Sequence, residues 1–448
     1  MINFRQKIAY GTGNTGLAIV NIVVQSWLLF FLAPGEGRIL IPASVVGMIW
    51  FFGRIVDAVS DPLVSTWSDR LVSPLGRRIP FLLYTGIPLA AVMALLFWEP
   101  VYAGPPWMKM VILALLLGLF YFLFTAWAVP YNALVADLSP DSGERIDLAT
   151  SSAVFNLIGT GAAMILTGML IAHFKTPGSS PESFQSSSFP PVMIILGAAA
   201  VISFYGCAAG LYRLRHRGEE NSDMHLLDAM KTVFKNRPFV YYVIGMNVFW
   251  GGFIIINVSI PFYITILMGE GVGFTTIAMA VTFGISLLFF PLMNMLAKVQ
   301  GKRRTVMACT GLMGAVLLLI YFIPTPPFGL SPRIFGLIVM GIAGIPIAGL
   351  FIVPNAMVAD LSDFRLPDGR KPGVAIYFGV QGIINKMMIG AVTAVAGVLF
   401  DVFGKSADKP LGVLLTGPVG AFFAFFALVM FIKYPDDRNG LYEKEKSE

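Results

Sequence analysis

The sequence predicts an all-α integral membrane protein of twelve transmembrane helices in two pseudo-symmetric six-helix bundles. Three observations carry that reading. Hydrophobic residues make up 56% of the 448 and charged residues only 12%, about half the share of charge in a soluble domain. The apolar residues fall in runs long enough to cross a hydrocarbon core of about 30 Å. One motif returns at an offset of half the chain.

Apolar runs between charged or Pro/Gly-rich breaks put the spans at 8–33, 41–66, 80–98, 108–136, 148–172, 190–212, 238–268, 273–298, 304–323, 333–359, 373–402 and 411–433. The first run, Ile8 to Ala33, is too long for the apolar core of a secretory signal and lacks a small-x-small cleavage site, so it reads as a span. The runs are continuous, not alternating, which implies helices and not barrel strands. With the N-terminus inside, the outer loops hold only Arg38, Lys109, Lys175, Arg333, Lys405 and Lys409. Arg54 and Lys386 lie within spans, and the rest of the 31 Lys and Arg lie inside. The positive-inside rule then makes both termini cytoplasmic, with the plasma (inner) membrane as the expected location. The net charge of +6 follows this topology and gives no nucleic-acid signal.

The longest hydrophilic break carries Arg213, Arg215, Arg217, Lys231, Lys235 and Arg237. It divides a bundle at 1–212 from one at 238–433, joined by a cytoplasmic linker at 213–237 and followed by a tail at 434–448. Asn132-Ala133-Leu134-Val135-Ala136-Asp137-Leu138-Ser139 recurs as Asn355-Ala356-Met357-Val358-Ala359-Asp360-Leu361-Ser362, and the basic turn Gly76-Arg77-Arg78 recurs as Gly301-Lys302-Arg303-Arg304. Two motifs at one offset point to a duplicated six-helix unit, the architecture of alternating-access transporters.

Charges inside a span need an explanation, since each costs about 2.5–3.5 kcal/mol at the bilayer centre. Arg54, Asp57 and Asp61 have spacings of three and four in the second span, which puts them on one helix face. Lys386 stands in the eleventh. Asp57 and Asp61 can offer oxygens to one cation, with Ser60 and Thr125 adding hydroxyls. Lys386 can compete with the ion, which makes Lys386 and Arg54 the coupling candidates. A static salt bridge holding the halves together is the alternative. No histidine lies deep in a span, so sodium is the first choice of ion and a proton the second. Asp69, Arg70, Arg77, Arg78, Asp137 and Asp360 fall at span ends expected on the cytoplasmic side, where they can latch helices. Ordinary positive-inside topology also explains the arginines, but not Asp69.

Enzyme chemistry finds no support. Gly404-Lys405-Ser406 ends like a phosphate loop, but position 399 is Leu, so there is no Walker A motif. The two cysteines, Cys207 and Cys309, lie in apolar runs and read as packing residues. No cofactor is expected beyond the coupling ion, Na+ or H+. The expected partners are a small-molecule substrate and membrane lipid, and the expected state is a monomer.

The run Gly53-Arg54-Ile55-Val56-Asp57-Ala58-Val59-Ser60-Asp61-Pro62-Leu63-Val64, followed by Gly76-Arg77-Arg78-Ile79-Pro80-Phe81, resembles the glycoside–pentoside–hexuronide:cation symporter family of the major facilitator superfamily, the family of the melibiose permeases. The resemblance implies a major facilitator fold. It also implies cation binding at Asp57 and Asp61 with Thr125 nearby, a lysine of the eleventh helix at Lys386, and a sugar-side aromatic position at Phe351. The departures matter too. Leu17, Ala18, Ala128, Ala153 and Asn132 stand where the family has charged or aromatic sugar contacts. Asn21, Gln25, Trp27, Trp127, Asn132, Asn156, Trp250, Phe351 and Gln381 are the remaining substrate candidates, and Asn257 is a further polar side chain of that kind. They can form a neutral sugar site or serve as ordinary interhelical packing. The Asp-x-x-x-Asp-Pro-Leu-Val core and Pro88-Leu89-Ala90 are also similar to the sodium-dependent lysophosphatidylcholine symporters. The expectation is therefore cation-coupled symport of a sugar or glycoside, with a lysolipid or other amphiphile second and a non-transporting sensor third.

Overall fold

The computed structural model describes residues 3–138, 142–176, 184–212, 234–361 and 374–435. Most of the expected linker and tail lies outside them. The described residues form twelve helices long and apolar enough to cross a membrane. They are α1 (Phe4–Leu32), α2 (Ala43–Arg70), α3 (Ile79–Leu96), α4 (Pro106–Leu138), α5 (Ser142–His173), α6 (Phe189–Leu211), α7 (Arg237–Phe262), α8 (Phe274–Gln300), α9 (Lys302–Leu319), α10 (Pro332–Leu361), α11 (Val374–Phe403) and α12 (Leu411–Lys433). The all-helical fold is as expected, with one helix for each apolar run.

The differences are at helix ends. α1 starts before its apolar run because Asn3 and Gln6 form a capping box, each side chain bonding the other's backbone N–H at 2.9 Å. Two otherwise orphaned donors are thereby satisfied. α5 starts at Ser142 with Glu144 in its first turn, where negative charge favours the helix dipole. α7 ends in a π turn over Tyr263–Leu267 just after Pro261, whose missing N–H disturbs the ladder.

The chain divides into two compact units. The first holds α1–α6 with Ile260–Thr265 and Glu270–Ile277, and the second holds the remainder of α7–α12. Within the first, α1 packs on α5 and α6, and α4 on α2 and α3. Within the second, α9 packs on α10 and α12. Small residues allow these approaches. A Cβ on Gly159 of α5 would lie 2.6 Å from the Thr15 carbonyl oxygen of α1, and one on Gly417 of α12 would lie 2.7 Å from that of Leu317 in α9. Cys207 and Cys309 are both buried and unbridged.

Pro62 sits inside α2. It has no N–H for the carbonyl of Ala58, so it removes one rung of the helix one residue beyond Asp61.

Candidate cation-binding site

The three charges of α2 gather against α4. Arg54 and Asp57 are 3% and 0% exposed, and their side chains pair at 3.1 Å. The Arg54 guanidinium lies 4.3 Å from the centre of the Tyr121 ring, a cation–π contact of the kind that strengthens on desolvation. Its Nε and Nη2 find no hydrogen-bond partner among the described residues. Gly53 lets α4 come this close, since a Cβ there would stand 3.0 Å from Tyr121.

One turn along α4, the Thr125 hydroxyl lies 2.7 Å from Asp57 Oδ1 and 3.3 Å from Asp61 Oδ1. A hydroxyl has one proton. It can donate to one carboxylate at a time, and it stands within reach of both. The donor set is two carboxylates and a hydroxyl, hard oxygens without nitrogen or sulfur, which fits sodium or a proton. The formal charges of Arg54, Asp57 and Asp61 sum to −1. The Ser60 hydroxyl donates to the Asp57 backbone carbonyl at 3.0 Å. Its proton is therefore spent along its own helix, leaving only its oxygen lone pairs for an ion. Tyr121 was not among the sequence candidates. Its signal is its position four residues before Thr125, on the same face of α4.

At the far end of α2 a second ionic network forms. Arg78 meets Asp69 at 2.6 Å and Asp137 at 3.3 Å, and Arg77 meets Asp137 at 2.7 Å. Arg78 also donates to Ser68 Oγ at 2.6 Å. The bond to Asp137 raises the Arg77 pKa from its ordinary value. These contacts tie the end of α2 to the start of α3 and the end of α4. Arg70 does not join them; it is exposed in the last turn of α2. The Asp360 side chain lies outside the described residues.

The substrate candidates separate into groups. Trp127 is fully buried, gives its indole N–H to the Leu82 carbonyl at 3.2 Å and packs on Phe204 and Tyr131. Trp27 is buried against Phe30 and Phe189. Both are packed among aromatic side chains of the first unit. Asn132 is exposed near the end of α4. Asn21 is half-buried on α1 and Gln25 is buried. Asn156 joins a polar chain that the sequence did not reveal. Asn156 donates to Asn14 at 3.1 Å, Asn14 to Ser152 Oγ at 2.8 Å, and Tyr131 lies 3.2 Å from Ser152. Tyr131 donates to the Tyr10 carbonyl at 2.8 Å, and the two rings stack 4.5 Å apart.

In the second unit, Trp250 and Phe351 meet edge to face at 5.6 Å. Gln381 Nε2 donates to the Tyr242 hydroxyl at 3.4 Å. Asn257 bonds the Phe253 carbonyl of its own helix at 3.0 Å. Lys386 is half-buried on α11, in the second unit, whereas Arg54, Asp57 and Asp61 belong to the first.

Residues 9–435 match the family described as MFS/sugar transport protein. The sodium-dependent lysophosphatidylcholine symporter 1 of Xenopus tropicalis is 24% identical over 96% of this chain and 86% of its own. The symporter sll1374 of Synechocystis is 29% identical, over 49% of this chain and 39% of its own. The putative glycoside/cation symporter YagG of Escherichia coli is 27% identical, over 46% of this chain and 42% of its own. Among solved structures, the nucleoside transporter NupG superposes with a TM-score of 0.63 over 99% of this chain and 100% of its own, at 13% identity. A bacterial homologue of the lysosomal transporter Spinster gives 0.64 over 96% of this chain and 95% of its own, at 14% identity. At such identities these two show the fold alone. The twelve-helix fold and the match over nearly the whole length lead to one conclusion: the chain belongs to the MFS/sugar transport protein family, and is a multi-pass membrane transporter and not an enzyme.

Proposed function

We propose that the chain is a cation-coupled symporter that carries a sugar or glycoside with sodium by alternating access. The observation that carries this reading is the convergence of Asp57, Asp61 and Thr125 on one another inside the membrane-spanning region. The −1 charge of the α2–α4 cluster suits one sodium ion per cycle. Lys386 of α11 is the coupling lysine of this reading, a positive charge that competes with the ion. Arg54 holds Asp57 in place through its ion pair and is itself held by Tyr121. The network of Asp69, Arg77, Arg78 and Asp137 acts as the cytoplasmic gate. Both termini are cytoplasmic, and the protein works as a monomer in the plasma (inner) membrane.

Four features support a sugar. The family description names sugar transport, and one relative is named a glycoside/cation symporter. The neutral chain of Asn14, Ser152 and Asn156 can exchange its bonds for sugar hydroxyls, and Trp250 with Phe351 offers an aromatic face. A lysolipid is the second reading. It is favoured by apolar Leu17, Ala18, Ala128 and Ala153 where sugar carriers of the resembled family have charges, and by a relative named a lysophosphatidylcholine symporter.

A thermal-shift panel on the purified protein tests both readings, with sugars and glycosides against lysolipids in sodium and in matched choline buffer. A ligand that binds only the folded state raises the midpoint by mass action. A glycoside shift that grows with sodium is the expected result. A sodium-dependent lysolipid shift with every sugar silent overturns the substrate assignment.

A further inference from the structure

At the end of the first unit opposite the Asp69–Asp137 network, the loops joining α1 to α2 and α3 to α4, with residues 184–188 ahead of α6, border an open cleft. Its larger lobe has a volume of about 580 Å³ and its smaller one about 320 Å³, within the range of small-molecule sites. Both lobes are lined by Arg38, Glu99, Ser186 and Ser187. Trp98 borders the larger and Gln185 the smaller. The symport cycle described above uses none of these residues.

The lining is built and not incidental. Glu99 Oε1 lies 3.7 Å from Arg38 Nη1, and the Ser186 hydroxyl donates to Glu99 Oε2. The Thr176 N–H donates to Gln185 Oε1 at 2.9 Å, so the amide N–H pair is what Gln185 has to offer. Trp98 is 48% exposed and lines the larger lobe together with Glu99. The cleft thus presents donors (Arg38, Gln185, Ser187), an acceptor (Glu99) and a flat apolar ring.

We propose that this cleft is a second, peripheral site that binds a neutral polyhydroxylated solute, a mono- or oligosaccharide or its glycoside, and loads the transporter from that side. The charge of the lining decides the class. Arg38 and Glu99 carry one charge each and face one another, so the site is formally neutral. A zwitterion would have to pull that pair apart. Sugar hydroxyls donate to Glu99 and accept from Arg38 without separating them, and a pyranose C–H face stacks on Trp98. The proposal rests on the sugar reading of the central site, but it predicts binding that needs no sodium.

Saturation-transfer NMR on the full-length protein in detergent tests it, because that method detects millimolar binding. The probes are methyl α-glucoside, methyl β-galactoside and methyl β-xyloside, with phosphocholine as the zwitterionic control, in choline buffer and on the Asp61→Asn variant. At least one glycoside should saturate without sodium, with its Kd raised tenfold or more by both Trp98→Ala and Glu99→Gln. Arg38→Gln, at an exposed side chain, is the third variant in case either of these misfolds, and it should weaken binding in the same way. Phosphocholine as the only ligand sensitive to these residues overturns the proposal. Sodium-dependent glycoside binding that ignores them overturns the cleft and leaves the central reading intact. No glycoside binding even with sodium overturns both.

Discussion

Thr125→Val is the sharpest probe of the cation site. Valine keeps the branched shape and fills the same buried space, so packing changes little, while the hydroxyl that lies 2.7 Å from Asp57 and 3.3 Å from Asp61 is lost. A hydrogen bond to a charged group contributes about 1.5–3 kcal/mol. The hydroxyl serves both states: it donates to a carboxylate when the ion is absent and offers a lone pair when the ion is present. Only the difference between the states reaches the affinity. Taking that as roughly one lost ligand, about 1.4–2.8 kcal/mol, the sodium concentration at half effect rises about 10- to 100-fold. Sodium titration of the thermal midpoint reads this directly, and sodium-dependent uptake reads it independently. Thr125→Ser restores the oxygen and should return the midpoint to within a few-fold. An unchanged sodium dependence in Thr125→Val, or a serine variant as impaired as the valine one, would refute the assignment.

Asp57→Asn and Asp61→Asn should each abolish cation-driven accumulation while substrate exchange persists; accumulation surviving both variants removes the cation site. Asp137→Asn removes the carboxylate that pairs with both Arg77 and Arg78, so cysteines placed on that side should label several-fold faster. Trp127→Phe keeps the ring packing and loses the bond to Leu82, worth about 0.5–1.5 kcal/mol. The midpoint should fall by a few degrees with the apparent KM for substrate unchanged, and a raised KM would return Trp127 to the substrate site. Lys405 is buried in the loop between α11 and α12, and desolvation lowers its pKa, opposed by Asp401. A lysine whose folded pKa lies below its unfolded value costs stability at neutral pH, and that cost fades as pH rises from the folded pKa toward the unfolded one, near 10.5. Lys405→Met should therefore flatten the alkaline rise of the thermal midpoint, and an identical slope in both proteins would count against this assignment.

The fold was legible because lipid reduces the problem to length and polarity. Twelve runs of apolar residues can only be satisfied as helices. The helix ends were less so, because the first turns of α1 and α5 are polar and are held by the Asn3–Gln6 box and by Glu144, which hydropathy does not register. In the site, Arg54, Asp57 and Asp61 stood out as charges inside a span. Tyr121 did not, since its one signal, a place four residues before Thr125, means nothing until Arg54 is seen above its ring. Asn14 and Ser152 were hidden for a related reason: their bond joins α1 to α5, a pairing no local pattern encodes. Arg70 and Asp69 are sequence neighbours, but neighbours on a helix point about 100° apart. Only Asp69 reaches Arg78.

Pro62 gives α2 a mechanical property. It removes the rung to the Ala58 carbonyl in a helix that otherwise runs from Ala43 to Arg70, so the last turns of α2 can pivot about the Asp57–Asp61 turn. Asp69 lies about 12 Å along the helix from Asp61. A tilt of about 10° at the pivot displaces Asp69 by roughly 2 Å, enough to carry its 2.6 Å contact with Arg78 beyond ion-pair range. On the symport reading proposed above, an adjustment of α2 on ion arrival would be amplified at the far end of the same helix.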